Sequence, residues 1–310
     1  MNSAFDHPSL VVRDEVRDAL EGARPVVSLE TTIVVHGLPH PQNLEVAAQC
    51  EAAVRAAGAV PATIGVLDGR VVVGLTIDEL DALAEPTRDS TKLSARDLGL
   101  AVGLVRDGAT TVAGTIAVAH RVGIDVMATG GLGGVHRDAA YTFDESNDLT
   151  TLSRTPVLVV ASGVKSILDV GATLERLDTL GVPVVGYRTV RFPGFYRADS
   201  GFRLDWSVGS AAEAAAAFAA HRHFSPTGWL LANPVGAEDE LDGDLHDAAL
   251  ANALAHAAAT GATGKAVTPV LLAEFARFSA GASVTTNRAL VVANAALAGE
   301  VSVALAALRR

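Results

Sequence analysis

Cysteine is almost missing from this chain: Cys50 is the only one in 310 residues. No disulfide can therefore form within a subunit, and no set of thiolates can hold zinc or an iron–sulfur cluster there. That usage suits a reducing compartment. Positive charge is also short, with Lys+Arg 24 against Asp+Glu 35 and a formal net charge of −11. An acidic surface of this kind repels a phosphate backbone, which disfavours a nucleic-acid-binding protein. The opening, MNSAFDHPSLVVRDEV, has neither the basic start nor the continuous apolar stretch of a secretory signal. Apolar stretches such as 156–160 and 286–298 are short or interrupted by Asn and Arg, below the roughly 20 residues that span a bilayer. A soluble, cytoplasmic protein without membrane contact is expected.

The chain does have apolar residues in quantity, 49% of the total, enough for a large core. Short Val/Ile/Leu runs alternate with longer Ala-rich, charge-dotted stretches, the pattern of buried strands separated by amphipathic helices. Strands are predicted over 26–29, 62–67, 70–73, 111–113, 126–129, 157–160, 184–187 and 229–232. Helices are predicted over 43–57, 94–107, 115–122, 165–180, 211–221, 245–259, 269–279 and 287–308. Gly58, Gly108, Gly123, Gly181 and Gly261 each follow a helical run and precede an apolar one, as C-capping glycines do. Asp68-Gly69 between two apolar runs signals a hairpin, so the sheet is expected to be mixed. No linker or 20- to 50-residue repeat divides the chain. The expectation is an α/β/α sandwich over residues 1–310, a single domain around a mixed, mostly parallel sheet. The least regular stretch, 191–207, reads either as a lid or as a packed surface loop.

Lysine is rare too: Lys92, Lys165 and Lys265 are the only three. A lysine can become a neutral amine, attack a carbonyl and form an imine, whereas a guanidinium stays charged. Lys165 follows the apolar run PVLVVASG, and strand C-terminal ends are where α/β folds place sites. Half-neutrality at pH 7 requires a fall from about 10.4 to about 7, roughly 4.6 kcal/mol, which desolvation, a helix N-terminus or a second cation can supply. A lysine at a helix start with its amine in solvent fits the position as well. Glu30 ends a predicted strand within VVSLETTIVVHGLP, where it can act as an acid or base or simply cap a helix. The glycines of ATGGLGGVHR, at 130, 131, 133 and 134, allow close backbone approach to a ligand, with His136 and Arg137 placed to meet a phosphate. Asp144, Glu145 and Asp148 around Ser146 and Asn147 suit a hard cation such as magnesium or manganese, or a solvated acidic turn. Glu30, Lys92, the glycine loop, the acidic turn and Lys165 all fall at or after predicted strand ends, which points to one cleft.

These residues carry a resemblance. SLETTIVVHGLPHPQN, STKLSARDL, ATGGLGGVHR, DESNDLTTLSRTPVLVVASGVKSILD and GKAVTPVLLAEFARFSAGASVTTNRALVVANAALA, running from about 26 to 308, resemble the pseudouridine-5′-phosphate glycosidase, or indigoidine-synthase-A-like, family. The resemblance implies reversible cleavage of pseudouridine 5′-phosphate to uracil and ribose 5-phosphate, with a divalent metal, usually manganese, and a homotrimer. The bond is carbon–carbon, so the paired carboxylates of ordinary glycosidases do not suffice. By the match, Lys165 adds to C1′ of the ring-opened sugar, Glu30 gives the proton to the base and Asp144 holds the metal, partly through water. Lys92, Val112, His136, Ser146, Asn147, Asp148 and Asn287 correspond to substrate-binding positions, and Asn287 has an amide able to pair with a uracil edge. Lys265 falls in the GKAVTP match and reads as structural. Two departures stand out: Asn147 where a small residue is more usual, and VAGT at 112–115 in place of a serine-containing turn. Two other readings remain, an imine-forming aldolase or lyase on another sugar phosphate and a non-catalytic nucleotide-binding protein.

Overall fold

A computed structural model describes residues 7–38, 40–85, 87–261 and 267–309. Lys265 lies outside them. The strands are β1 Leu10–Val12, β2 Val26–Leu29, β3 Val60–Leu67, β4 Arg70–Val73, β5 Thr91–Leu93, β6 Gly108–Thr110, β7 Val126–Ala128, β8 Leu158–Ala161, β9 Val184–Tyr187, β10 Trp206–Val208 and β11 Trp229–Ala232. They form one sheet in the order β1-β4-β3-β2-β7-β8-β11-β9-β10, with β6 also beside β3 and β5 beside β6. All pairs are parallel except β3 with β4 and β3 with β6. Strands β2, β7, β8 and β11 carry Val, Leu, Met, Ala and Ser that are buried at almost every position, which a parallel sheet covered on both faces demands. On one side lie the helices Gln42–Ala56, Ala211–His221 and Ala282–Ala307; on the other, Val112–Val122 packs on β2, β3, β6 and β7. This is the mixed, mostly parallel α/β architecture the alternation predicts.

Long β3 forks the sheet. Its first half, Val60–Thr63, pairs with β2, while Gly65 and Val66 pair with β6. Two threonines fill the crotch: the Thr31 hydroxyl donates to the Ile64 carbonyl at 2.9 Å and the Thr110 hydroxyl to the same carbonyl at 2.6 Å. Strand β2 thus ends beside a gap that β6 lines, and the chain from Glu30 turns out through a wide π-helical turn, Ile33–Gly37. At the β3–β4 turn Asp68 and Gly69 have φ of 50° and 68°, the pair of positive angles that a type I′ hairpin requires.

The structure corrects several local expectations. Residues 111–113 are no strand: β6 stops at Thr110, the Thr111 hydroxyl accepts from Gly114 N at 3.4 Å, and a helix runs from Val112 to a left-handed Gly123. The β-branched pair Thr110-Thr111 splits between a strand end and an N-cap. Gly108 opens β6 instead of closing a helix; an added Cβ there would lie 2.4 Å from Leu93 Cδ1. The expected helix 94–107 is a 3₁₀ turn, Ala95–Asp97, followed by Leu98–Gly103. The helix expected from 165 begins only at Val170, because the Asp169 carboxylate caps it at Ala172 N, 2.9 Å away. Lys165 therefore takes nothing from a helix N-terminus. Elements without a strong sequence signal also appear, namely β1, β5, β10 and the helices Asp14–Glu21 and Ile77–Ala84.

The apolar tail is longer than its sequence interruptions suggested. Among the described residues, Ala282–Ala307 is the one helix long and apolar enough to cross a membrane, with a mean hydropathy of 1.8 in its most apolar window. That window is 61% buried within the fold. The helix lies on β2, β7 and β8 and between the helices Gln42–Ala56 and Ala211–His221, as a core helix does.

Candidate active site

The ends of β2, β5, β6, β7 and β8 converge on a cleft of about 170 Å³. Glu30, Lys92, Val112, His136, Asp144, Ser146, Asn147, Asp148 and Lys165 all line it, so the structure gathers nine of the ten sequence candidates. The tenth, Asn287, lies in an adjoining chamber of about 40 Å³ that shares Glu30, Lys92 and Lys165 with the first. The two chambers differ in chemistry. The larger one holds Lys92, Ser94, Arg96 and His136, whereas Gly130, Gly131, Phe195 and Leu272 wall the smaller. Glu30 and Lys165 stand at their junction.

Glu30 follows the last residue of β2 and is buried at 7% exposure. The Thr129 hydroxyl, just past β7, donates to its Oε1. Burial pushes the carboxyl up from its ordinary value, with Asp148 adding to the rise, while Lys165, the Thr129 hydrogen bond and Lys92 pull it down. Desolvation is the larger effect, so Glu30 is held towards its protonated form.

Lys165 sits on a continuation of the β7–β8 ladder. Past the strands, Ser162 N donates to Gly130 O at 2.9 Å, Leu132 N to Gly163 O at 3.0 Å and Lys165 N to Leu132 O at 3.2 Å. The glycine loop and the lysine loop thus run side by side. Arg137 braces the second of them, its guanidinium donating to the carbonyls of Ser166 and Ile167 at 3.3 Å each. Arg137 thus holds the backbone just past Lys165.

At Gly133 and Gly134 the protein itself leaves no room for a Cβ. A Cβ on Gly133 would lie 2.4 Å from Ser146 Oγ and 2.6 Å from Asp148 Oδ2, and one on Gly134 would lie 2.4 Å from Thr173 Oγ1. The close approach is to the protein's own side chains. Asp148 is part of the same lock: its Oδ1 accepts from Ala113 N at 2.8 Å and its Oδ2 from Gly133 N at 2.9 Å. Both oxygens of this buried carboxylate thus tie the glycine loop to the first turn of the helix carrying Val112. Ser146 caps the helix Asn147–Leu152 by accepting from Asp148 N, and the Asn147 amide bonds to Thr150 at 2.9 Å within that helix.

Asp144 is different. Glu145 is engaged by Arg176 at 2.7 Å, whereas the Asp144 carboxylate has His136 Nε2 at 3.9 Å as its ion-pair neighbour among the described residues. Among the described residues no three His, Cys, Asp or Glu side chains cluster as a metal cage. The donor set fits a hard, hydrated cation bound through one carboxylate, and does not fit a cation stripped of water.

Sequence reading missed several lining groups. Phe195 comes from the stretch 191–207, which is packed: Phe192, Phe195 and Tyr196 are buried, and Phe195 N donates to Ser162 O at 3.0 Å. Thr129, which lines the smaller chamber, and Asn294, which supports it from behind, lie inside two of the quoted stretches, but nothing in those motifs singled them out. Asn294, fully buried, reaches from the core helix to Thr129 O at 2.8 Å and Ser162 Oγ at 3.1 Å, with Asn233 donating to its oxygen at 2.9 Å. A polar residue in the apolar face of a long helix was the signal available.

The family described as indigoidine synthase A like protein matches residues 15–304. This chain belongs to that family. A pseudouridine-5′-phosphate glycosidase of Salinispora tropica is 58% identical over 295 residues, covering 94% of this chain and 91% of that protein. Another, from Herpetosiphon aurantiacus, is 52% identical and covers 96% and 98%. Among solved structures, the prealnumycin C-glycosynthase AlnA in complex with ribulose 5-phosphate is 42% identical with a TM-score of 0.89, covering 98% of this chain and 99% of that one. An indigoidine synthase A-like protein of Thermotoga maritima is 34% identical with a TM-score of 0.87, covering 98% of each.

Proposed function

We propose that this family member cleaves the C–C glycosidic bond of pseudouridine 5′-phosphate, reversibly, to uracil and ribose 5-phosphate. The observation that carries the reading is the junction: a buried acid, Glu30, and an amine, Lys165, between a charged chamber that includes Lys92, Arg96 and His136 and a more apolar one. The first chamber suits a phosphorylated sugar. The second suits a flat base, and it contains Asn287, whose buried Oδ1 has no hydrogen-bond partner among the described residues. A buried amide oxygen left unpaired costs roughly 1–3 kcal/mol, which an imide N–H of uracil offsets. The relatives' names and the sugar phosphate bound to AlnA support the same substrate class.

In this reading the Lys165 amine forms a bond to C1′ as the ring C1′–O bond breaks, and the resulting ammonium nitrogen gives a proton to the ring oxygen. The nitrogen lone pair then forms the C=N bond while the C1′–C5 electron pair returns to the base, and Glu30 protonates that carbon. Water adds to the imine, the C–N bond breaks, and ribose 5-phosphate leaves with Lys165 regenerated. Lys92 places a second positive charge beside the site. Asp144, with His136 beside it, would hold a hydrated divalent cation, manganese in this reading, which when bound supplies positive charge and ordered water to the sugar phosphate. A homotrimer and a cytoplasmic setting belong to the same proposal; light scattering of the purified protein tests the first. The activity test is chromatography of uracil after incubation with pseudouridine 5′-phosphate, with manganese and with chelator. Metal-dependent uracil is the expected result. Turnover of 2-deoxyribose 5-phosphate without any uracil release would instead favour an imine-forming lyase.

A further inference from the structure

Behind Glu30, on the side away from the cleft, lies a separate cavity of about 20 Å³. Leu29, Val46, Cys50 and Val291 make most of its wall, but three polar side chains reach it: Glu30, Thr63 and Thr129. A site of this size accommodates one water, which needs about 10–15 Å³ and two to four polar partners. The Thr63 hydroxyl, buried on β3, donates to Glu51 Oε1 at 2.5 Å. Glu51 lies on the helix Gln42–Ala56 and is partly exposed. Polar groups thus run from solvent to the back of Glu30 through an otherwise apolar layer. Cys50 does not belong to the series, since burial pushes its thiol up to about 12.

We propose that one water in this cavity, with Thr63 and Glu51, forms a relay that returns a proton from solvent to Glu30 after each turnover. The inference rests on the reading of Glu30 as the acid that protonates the departing base. In that step a C–H bond forms on the base, the Glu30 O–H bond breaks, and the bound product still covers the cleft face of the carboxylate. The return then proceeds at the back. A protonated Glu51 gives its proton to the Thr63 oxygen, the Thr63 hydroxyl proton passes to the water, and a proton of that water passes to Glu30. Each O–H bond broken is matched by one formed, and the proton that enters from solvent at Glu51 balances the one released when water adds to the protonated imine. In the synthetic direction the relay runs outward. The charged groups facing Glu30 from the cleft are Lys165, Lys92 and Asp148, and Glu51 is the acidic group at the outer end of the path.

The test is rapid-quench measurement of uracil release from pseudouridine 5′-phosphate by wild type, T63V, T63S and E51Q. T63V is expected to release its first equivalent of uracil at the wild-type rate and then turn over roughly tenfold more slowly, with kcat/KM unchanged and a larger solvent deuterium effect. T63S, which keeps the hydroxyl, restores wild-type turnover. E51Q changes a partly exposed side chain, so folding is preserved, and it shows the same burst with a smaller slowing. T63V and E51Q without a burst and with turnover within about twofold of wild type would overturn the relay alone. A first turnover slowed as much as later ones in T63V gives Thr63 a structural role and also overturns it. No uracil from wild type overturns the C-glycosidase reading and the relay together.

Discussion

Three of the four carboxylates in the cleft have different fates, and each follows from what surrounds it. Asp148 is consumed by two backbone N–H groups, Glu145 by Arg176, and Glu30 is buried with a single hydroxyl on it. Burial pushes Glu30 up from its ordinary value of 4.5, which leaves it an acid at pH values where exposed carboxylates are ionised. Linkage sets the sign for stability. A carboxyl whose pKa is higher folded than unfolded contributes stability fully below the unfolded value, and that stability is lost as pH rises from about 4.5 through the folded value. Glu30→Gln should therefore unfold at a higher temperature than wild type at pH 8, the gap closing as pH falls to about 4.5. Its activity should drop by roughly 10²- to 10⁴-fold. Calorimetry across pH checks the first, and an unchanged gap at all pH values would contradict the protonated assignment. Asp144→Ala should raise the manganese concentration needed for half-maximal activity by about tenfold or more, read from a metal titration; an unshifted curve would mean that the ion sits elsewhere.

At the scale of elements, the site is built from strand ends whose ladders continue past the strands. The β7–β8 pairing extends through Gly130 and Leu132 to Lys165, and Asn294 of the core helix stitches the Thr129 carbonyl to Ser162. Asn294→Leu removes the donor from buried carbonyls and hydroxyls and should cost about 1–3 kcal/mol, with kcat falling more than KM rises. Denaturant unfolding beside kinetics measures both, and loss of neither would mean that Asn294 is a bystander. This element shows what sequence patterning conveys and what it omits. Periodicity and glycine caps located the central strands and most helices because those signals are local. The helix starts at Val112 and Val170 were misplaced because Thr111 and Asp169 decide them through side-chain bonds to single N–H groups. Lys165, Glu30 and the acidic turn were legible as chemistry at strand ends, and the quoted motifs made the family legible. The use of Asp148 as a lock and of Asn294 as a stitch was not, since both depend on partners 15 and more than 100 residues away.

The whole molecule carries a net charge of −11 and yet gathers Lys92, Arg96 and Lys165 in one cleft. The same cleft holds Glu30, Asp144, Glu145 and Asp148, so it is a place where both signs of charge meet. The fork of β3 makes that place by letting β2 and β6 end at the same level, with Glu30 leaving one and the Lys92 strand, β5, beside the other. The family match and the chain-length similarity to AlnA place the same architecture around a ribulose 5-phosphate in a relative. The central claim is that Lys165 becomes bonded to the sugar at the junction of the two chambers. Borohydride reduction during turnover of pseudouridine 5′-phosphate, followed by peptide mass mapping, tests it most directly. The account predicts a reduced ribose-phosphate adduct on the peptide containing Lys165 and none in Lys165→Ala, which should also lose activity on the order of 10⁴-fold. Uracil release with no adduct on that peptide, or full turnover by Lys165→Ala, would contradict it.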